Sequence, residues 1–417
     1  MTLNLTEDKL EIISGGGVSS AAGFSASGIR AGLKPGSDKL DLALVVAAEP
    51  CPATGVFTQN AFSAAPVQIC KKNLVLSEGS AKAILINTVS ANAGTGQAGF
   101  KAANSCVEAL ANKLSCEQEK ILIASTGVIG LELPAEKIVD ALDSSIGALG
   151  KEGGENASKA IMTTDTCNKQ FALRYISKAK HTAGKPVTIG AMAKGVGMIM
   201  PNMATMISVI TTDAKINPDV LNNALSEAVG VSFNKTTVDG DTSTNDSCFM
   251  MASGMSTAEI KAHSDSYDEF VFALKYVCTV LAKKMASDGE GATKLVVVKV
   301  VGAASDEEAD LAARTIANSP LVKTAINGRD ANWGRVLAAV GRSGAKLDKD
   351  KLSISFLGMM VFENGSPNVV DEDLALQLFD QDEIEIVVDL CVGDCSTEIY
   401  TCDFSKEYIS INGDYRS

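Results

Sequence analysis

Eighteen consecutive residues, 195–212 (GVGMIMPNMATMISVITT), carry no charge, and Lys194 and Asp213 close the run. An uncharged segment of that length belongs in a protein interior, in a membrane, or in a dry site where the chain does chemistry. Gly195, Gly197, Pro201, Asn202 and the terminal pair of Thr break or polarise a membrane helix, and no Lys/Arg asymmetry flanks the run. A buried strand pair and a self-reacting segment remain. In PNMATM the Thr205 hydroxyl could attack the Ala204 carbonyl, with small Ala204 and turn-forming Pro201-Asn202 permitting the strained geometry. From these residues alone, a Thr between Ala and Met reads first as a strand residue.

Strand-like and helix-like segments alternate elsewhere, which predicts a layered α/β architecture. The runs 40–48, 83–88, 120–125, 295–301 and 384–390 read as strands. One helix is expected from N-cap Asn217 and Pro218 to Gly230, and another after the capping box Ser305–Glu308, ending before Pro320. A third is expected over 268–286, and the acidic run 371–389 reads as a solvated helix followed by an alternating strand. The 417-residue chain is long enough for two subdomains or one large α/β unit, and its 46% hydrophobic content with 5% aromatics suits sheets covered by Ala-rich helices.

A formal charge of −13 argues against nucleic acid and anionic lipid as partners. Ten Cys without a CxxC pair read as reduced thiols, and the spacing of Cys391, Cys395 and Cys402 fits no common zinc module, so no metal is expected. The opening MTLNLTEDKLEIISGGG has neither a signal-peptide core nor a transit-peptide pattern, which gives a cytoplasmic expectation. The Gly-rich pieces at 15–24, 183–186 and 289–294 lack the spacing of phosphate loops. The two His, His181 and His263, lie in polar, turn-like sequence, so acyl-transfer chemistry here needs another base. The α-amine of an N-terminal Thr is one such base, with an unperturbed pKa near ~8.

KGVGMIMPNMATM resembles the self-cleavage segment of the ornithine acetyltransferase family, also called the bifunctional glutamate N-acetyltransferase family of arginine biosynthesis. The likeness continues through GFSASGIRAGLK (23–34), GVFTQNAFSAAPV (55–67), STGVIG (125–130), AIMTTDT (160–166), SFNKTTVDGDTSTND (232–246), DGEGATK (288–294), GRDANWGRVLAAVGRSG (328–344) and INGDYRS (411–417). It implies an α/β sandwich of two facing sheets flanked by helices, of the N-terminal-nucleophile type. Self-cleavage between Ala204 and Thr205 would give an alpha chain, 1–204, and a beta chain, 205–417, which associate as two processed pairs.

The resemblance also assigns roles. Thr205 is the nucleophile with its own amine as base, and Thr126 and Gly127 form the oxyanion hole. Substrate contacts come from Thr163 or Thr164, Lys194, Glu290, Asn412 and Ser417; read singly, each of these polar residues looks like a surface residue. The implied reaction is ping-pong transfer of acetyl from N2-acetylornithine to L-glutamate, without a resident cofactor. Acetyl-CoA is an open co-substrate whose acceptance would make the enzyme bifunctional. The segment NTVSANAGTGQ (87–97) departs from the family's Asn-rich, Cys-containing pattern, and Ser417 stands where Thr is frequent. The competing readings are a self-cleaving aminopeptidase of the same broad fold and an uncleaved amino-acid-binding protein.

Overall fold

The computed structural model describes residues 5–200 and 206–414. The chain divides into two compact units, one of residues up to Gly195 with 202–234 and 242–281, the other of 196–201, 235–241 and 282 onward. This partition differs from a division at 204/205.

The first unit holds strands β1 (Glu11–Ile12), β2 (Phe24–Ile29), β3 (Leu42–Phe57), β4 (Ser80–Asn87), β5 (Ile121–Ser125), β6 (Lys169–Ile176), β7 (Pro186–Lys194), β8 (Ile207–Thr212) and β9 (Ser247–Ala252). They form one nine-stranded sheet in the order β1-β6-β7-β8-β9-β3-β4-β5, with β2 also on β3. Strand β3 joins two arms. Its first half pairs with β2 and β4, its end pairs with β9, and the register shifts between Val46 and Cys51. Pro50 sits within that shift, where a residue without an N–H cannot continue a ladder, and the β4 pairing resumes at Cys51 and Pro52. The strand expected over 40–48 is therefore the first half of a longer, bent strand.

Helices α1 (Ala65–Leu76), α2 (Gly96–Leu114), α3 (Ala135–Gly147), α4 (Gly153–Ala160) and α5 (Pro218–Gly230) belong to this unit. The Asn217 side chain caps α5 by accepting the Val220 N–H, as the sequence predicts. One apolar core draws on both arms of the sheet: Leu44, Ile84 and Leu122 share it with Met192, Val209 and Phe249. The uncharged run thus ends as a fully buried strand, β8. Helix α6 (Asp265–Ser287) covers the expected 268–286.

The second unit is built on a six-stranded sheet of β10 (Leu295–Ala303), β11 (Ser353–Phe356), β12 (Met359–Glu363), β13 (Ser366–Pro367), β14 (Glu383–Asp389) and β15 (Cys395–Cys402), in the order β13-β12-β11-β14-β10-β15. Helices α7 (Asp306–Ala317), α8 (Pro320–Asn327), α9 (Trp333–Gly341), α10 (Glu372–Leu378) and α11 (Lys406–Gly413) accompany it. The capping box of α7 forms by half. Ser305 Oγ accepts the Glu308 N–H at 3.2 Å, but the Glu308 carboxylate accepts the Lys346 N–H instead of turning back to Ser305. The acidic run resolves into α10 and the alternating strand β14.

The chain is thus α/β, with two sheets flanked by helices. Its ten Cys are free, and burial pushes the thiols of Cys51, Cys70, Cys106 and Cys248 up to about 12, so these four are core residues without nucleophilic character. Among the described residues no helix is long and apolar enough to cross a membrane, and no three His, Cys, Asp or Glu side chains converge as a metal site.

Candidate active site

In the first unit, strand register collects one end of the sheet into a row. Lys194, the last residue of β7, pairs with Ile207 of β8; Ile207 pairs with Ser247 of β9; Ser247 pairs with Phe57 of β3. The chain therefore leaves the sheet at Lys194 and re-enters it opposite that residue. The expected cleavage pair Ala204–Thr205 lies between these points in sequence and outside the described residues. Met206, bonded to Thr205, is held twice: its N–H donates to Asp246 Oδ1 at 3.0 Å and its carbonyl accepts the Ser247 N–H at 3.0 Å.

Thr126 comes directly after β5 at the same end. Its N–H donates to the Asn87 carbonyl at 3.0 Å, and its Oγ1 lies 3.4 Å from Lys194 Nζ. Asn245 ties the start of β9 to this region, its Nδ2 donating to the carbonyls of Ser125 at 2.8 Å and Ala91 at 2.5 Å. Gly127 has φ +134°, and a Cβ there would lie 2.2 Å from the Val89 carbonyl oxygen, so only Gly fits. Its N–H has no acceptor among the described residues. Val89 itself has φ +76°, a strained conformation for a β-branched residue, and its carbonyl accepts the Val128 N–H at 2.9 Å. The departure at 87–97 thus lies in the backbone that packs on Gly127.

Lys194 is only 3% exposed, against its surface-like reading in sequence. Its burial is made tolerable by Asp165. That carboxylate receives Lys169 Nζ at 2.8 Å and the Gly195 N–H at 3.0 Å on Oδ1, and the Thr163 N–H at 3.0 Å on Oδ2, which also lies 3.9 Å from Lys194 Nζ. Burial pushes the Asp165 carboxyl up, but the ammonium groups of Lys194 and Lys169, with the Gly195 N–H, outweigh it and hold the group at about 2. Two buried cations thus share one carboxylate. Thr163 gives its N–H to Asp165. Thr164 is next in the same turn.

Asp246 contrasts with Asp165. It is fully buried, and its Oδ2 has no hydrogen-bond partner among the described residues. Burial is the largest influence and pushes its pKa well above the ordinary carboxylate range, against the opposing Met206 N–H and Lys194.

Glu290 and Asn412 belong to the second unit, which brings them together: Asn412 Nδ2 donates to Glu290 Oε2 at 2.8 Å. Glu290, 7% exposed, is also buried. Its N–H donates to the Val196 carbonyl at 2.9 Å, and a Cβ on Gly197 would lie 2.5 Å from its Oε2. Asp403 fixes the adjoining loop by accepting the N–H groups of Thr293 and Lys294 and the Thr293 hydroxyl, and Ser405 donates to the Gly291 carbonyl at 2.6 Å. Helix α11, whose N-cap is Ser405, thus carries Asn412 to Glu290. Ser417 lies outside the described residues.

Sequence reasoning missed Asp165, Lys169 and Asp246. The two Asp lie inside motifs it singled out, AIMTTDT and DGDTSTND, and Lys169 stands at i+4 from Asp165, a spacing that could have suggested a pair. A cleft of about 780 Å³ in the first unit, lined by Thr54, Lys71, Leu74, Pro218 and Asn222 among others, includes none of the expected site residues.

Residues 25–417 match the ArgJ family. The chain is 44% identical over 402 residues to the arginine biosynthesis bifunctional protein ArgJ of Caldanaerobacter subterraneus subsp. tengcongensis, covering 95% of this chain and 97% of that protein. It is 44% identical over 411 residues to the protein of the same name from Dehalococcoides mccartyi, covering 98% and 99%. A crystal structure of the Bacillus halodurans ArgJ protein is similar at 40% identity and a TM-score of 0.48, covering 49% of this chain and 97% of that one.

Proposed function

The chain belongs to the ArgJ family, and on that footing we propose that it moves acetyl from N2-acetylornithine to L-glutamate, yielding ornithine and N-acetylglutamate, through an acetyl ester on Thr205. The observation that carries this reading is the register that joins the described residues on either side of Ala204–Thr205. Lys194 before it and Ile207 after it are register partners, and Lys194 Nζ lies 3.4 Å from Thr126 Oγ1. A strained or reactive linkage needs such fixed ends to hold its geometry.

In this proposal Thr205 Oγ attacks the Ala204 carbonyl, the acyl group moves from nitrogen to oxygen, and water hydrolyses the ester to free the Thr205 amine. That amine then serves as base while Oγ attacks the acetyl group of the donor. The Thr126 hydroxyl and the Gly127 N–H receive the oxyanion. Ornithine leaves, and the amine of glutamate takes the acetyl group. Lys194, Thr163, Asn412 and Ser417 suit the amino-acid carboxylates, and Glu290 suits the ornithine ammonium. Two processed pairs assemble in a reducing cytoplasm, in keeping with ten free thiols.

An intact-mass measurement tests the first half: fragments 1–204 and 205–417 are expected from the native chain, and one uncleaved, inactive chain from Thr205→Ala. A cleaved Thr205→Ala protein would refute the assignment. Acetylornithine without glutamate should then give one equivalent of ornithine and an acetylated second fragment. Glutamate-independent acetate release at the full rate would favour a hydrolase. Labelled acetyl appearing on glutamate from acetyl-CoA alone would establish the bifunctional form.

A further inference from the structure

A carboxylate selects a cationic side chain by its length only if the carboxylate itself is held in place. Glu290 is held from outside its own loop. Two parts of the second unit meet its Oε2: the backbone of Gly197, where a Cβ would lie 2.5 Å away, and Asn412 Nδ2, which donates to it at 2.8 Å. Both lead back to a single residue.

We infer that Asp239 is a positioning residue that sets donor specificity: it ties the segment carrying Gly197 to the helix carrying Asn412, and so fixes where Glu290 receives the substrate ammonium. The inference rests on the reading of Glu290 as the partner of that ammonium.

Asp239 grips the segment directly after Gly197. Its Oδ2 accepts the Met198 N–H at 2.6 Å and its Oδ1 the Ile199 N–H at 2.9 Å, while the Val238 N–H donates back to the Ile199 carbonyl at 2.8 Å. Met198 has φ +53°, a costly conformation for a residue other than Gly, and these bonds offset the cost. Asp239 also reaches α11. The Tyr408 hydroxyl donates to the same Oδ2 at 3.4 Å, and the Tyr408 carbonyl accepts Asn412 Nδ2 at 3.0 Å, one turn further on. Helix α11 in turn lies against the residue after Glu290, for Gly291 has φ +69° and a Cβ there would be 2.6 Å from the Tyr408 nitrogen. One carboxylate thus aligns both contacts of Glu290 Oε2, which leaves Glu290 little room to follow a side chain of another length.

The test uses three substrates: N2-acetylornithine, the one-methylene-longer N2-acetyl-L-lysine, and glutamate. Asp239→Asn keeps the size of the side chain but turns one accepting oxygen into an amide that cannot receive an N–H. With an unchanged melting temperature, kcat/KM for acetylornithine should fall about tenfold, while the values for acetyl-L-lysine and glutamate stay within about threefold of native. Added to Glu290→Gln, the substitution should have no further effect on acetylornithine, because it acts through that carboxylate. A value for acetylornithine within about threefold of native, or equal losses for all three substrates, would overturn the inference. Glu290→Gln with native kcat/KM for acetylornithine would instead remove the reading beneath it. Should Asp239→Asn fail to fold, Tyr408→Phe releases the α11 side of the tie alone. Its kcat/KM for acetylornithine should fall about threefold, the worth of one modest hydrogen bond, with the other two substrates unaffected. A native value in that variant would equally overturn the proposal.

Discussion

Replacing Asp165 by Asn removes the charge that lets two lysines stay buried. The Asp165 and Lys169 side chains are 0% exposed and that of Lys194 is 4% exposed, so water cannot take over as counterion. The depression of the Asp165 carboxyl from 3.8 to about 2 corresponds to about 2 kcal/mol of folding stability. That figure is already net of the cost of burying the carboxylate. The variant loses more, because the buried ammonium groups of Lys169 and Lys194 both lose this carboxylate, and breaking a buried pair costs ~3–5 kcal/mol.

The pH dependence has a definite sign. A carboxyl with a lowered folded-state pKa stabilises fully above its unfolded value of about 4, and this stabilisation is lost as pH falls toward 2. Asp165→Asn should therefore be less stable near neutral pH and flatter between pH 4 and 2. Urea unfolding monitored by far-ultraviolet circular dichroism measures both. The single Trp, Trp333, lies in the second unit, so its fluorescence provides an internal control. A loss under about 1 kcal/mol with an unchanged acid slope would refute the claim that this carboxylate neutralises both cations.

Thr126→Ala should lower kcat by ~10²–10³-fold with little change in KM, because an oxyanion donor acts on charge that develops in the transition state; steady-state kinetics with both substrates checks this. Gly127→Ala should impair cleavage and transfer together, since its Cβ would meet the Val89 carbonyl at 2.2 Å and push the N–H out of place; intact mass and thermal melting read the two effects. Glu290→Gln should raise KM for acetylornithine more than for glutamate, as only the former brings a side-chain ammonium to a carboxylate.

The five strand runs were legible because each is a short apolar stretch with turn signals nearby, and β-structure there needs no information from elsewhere in the chain. The α5 cap was legible for the same local reason: Asn217 and Pro218 satisfy and preset the first turn on their own. The bend in β3 was not, since Pro50 marks a break in one strand only once its neighbours are known. The half-formed capping box failed likewise, because the Glu308 carboxylate serves Lys346, 38 residues on. Asp165 and Asp246 look alike in sequence, each an Asp in a Thr-rich motif. The difference between them is the count of cations and N–H groups around each carboxyl, which depends on how β7, β8 and β9 align.

That alignment also predicts how the two pieces behave after a cut at 204/205. Strand β8 would belong to the second fragment, yet it lies between β7 of the first fragment and β9 of the second, and β9 pairs in turn with β3 of the first. The fragments therefore alternate within one sheet. Six register pairs join β7 to β8, from Ile189–Thr212 to Lys194–Ile207, and five join β9 to β3. Side chains from both fragments, Met192 and Val209 among them, fill the same core. Separation would expose four strand edges, those of β7, β8, β9 and β3, and that core at once, a cost of the same order as unfolding the unit. The two fragments should co-elute in native size-exclusion chromatography and part only at the urea concentration that abolishes the circular-dichroism signal. Fragments that dissociate while their secondary structure persists would show that the β7–β8 and β9–β3 ladders do not hold the processed protein together.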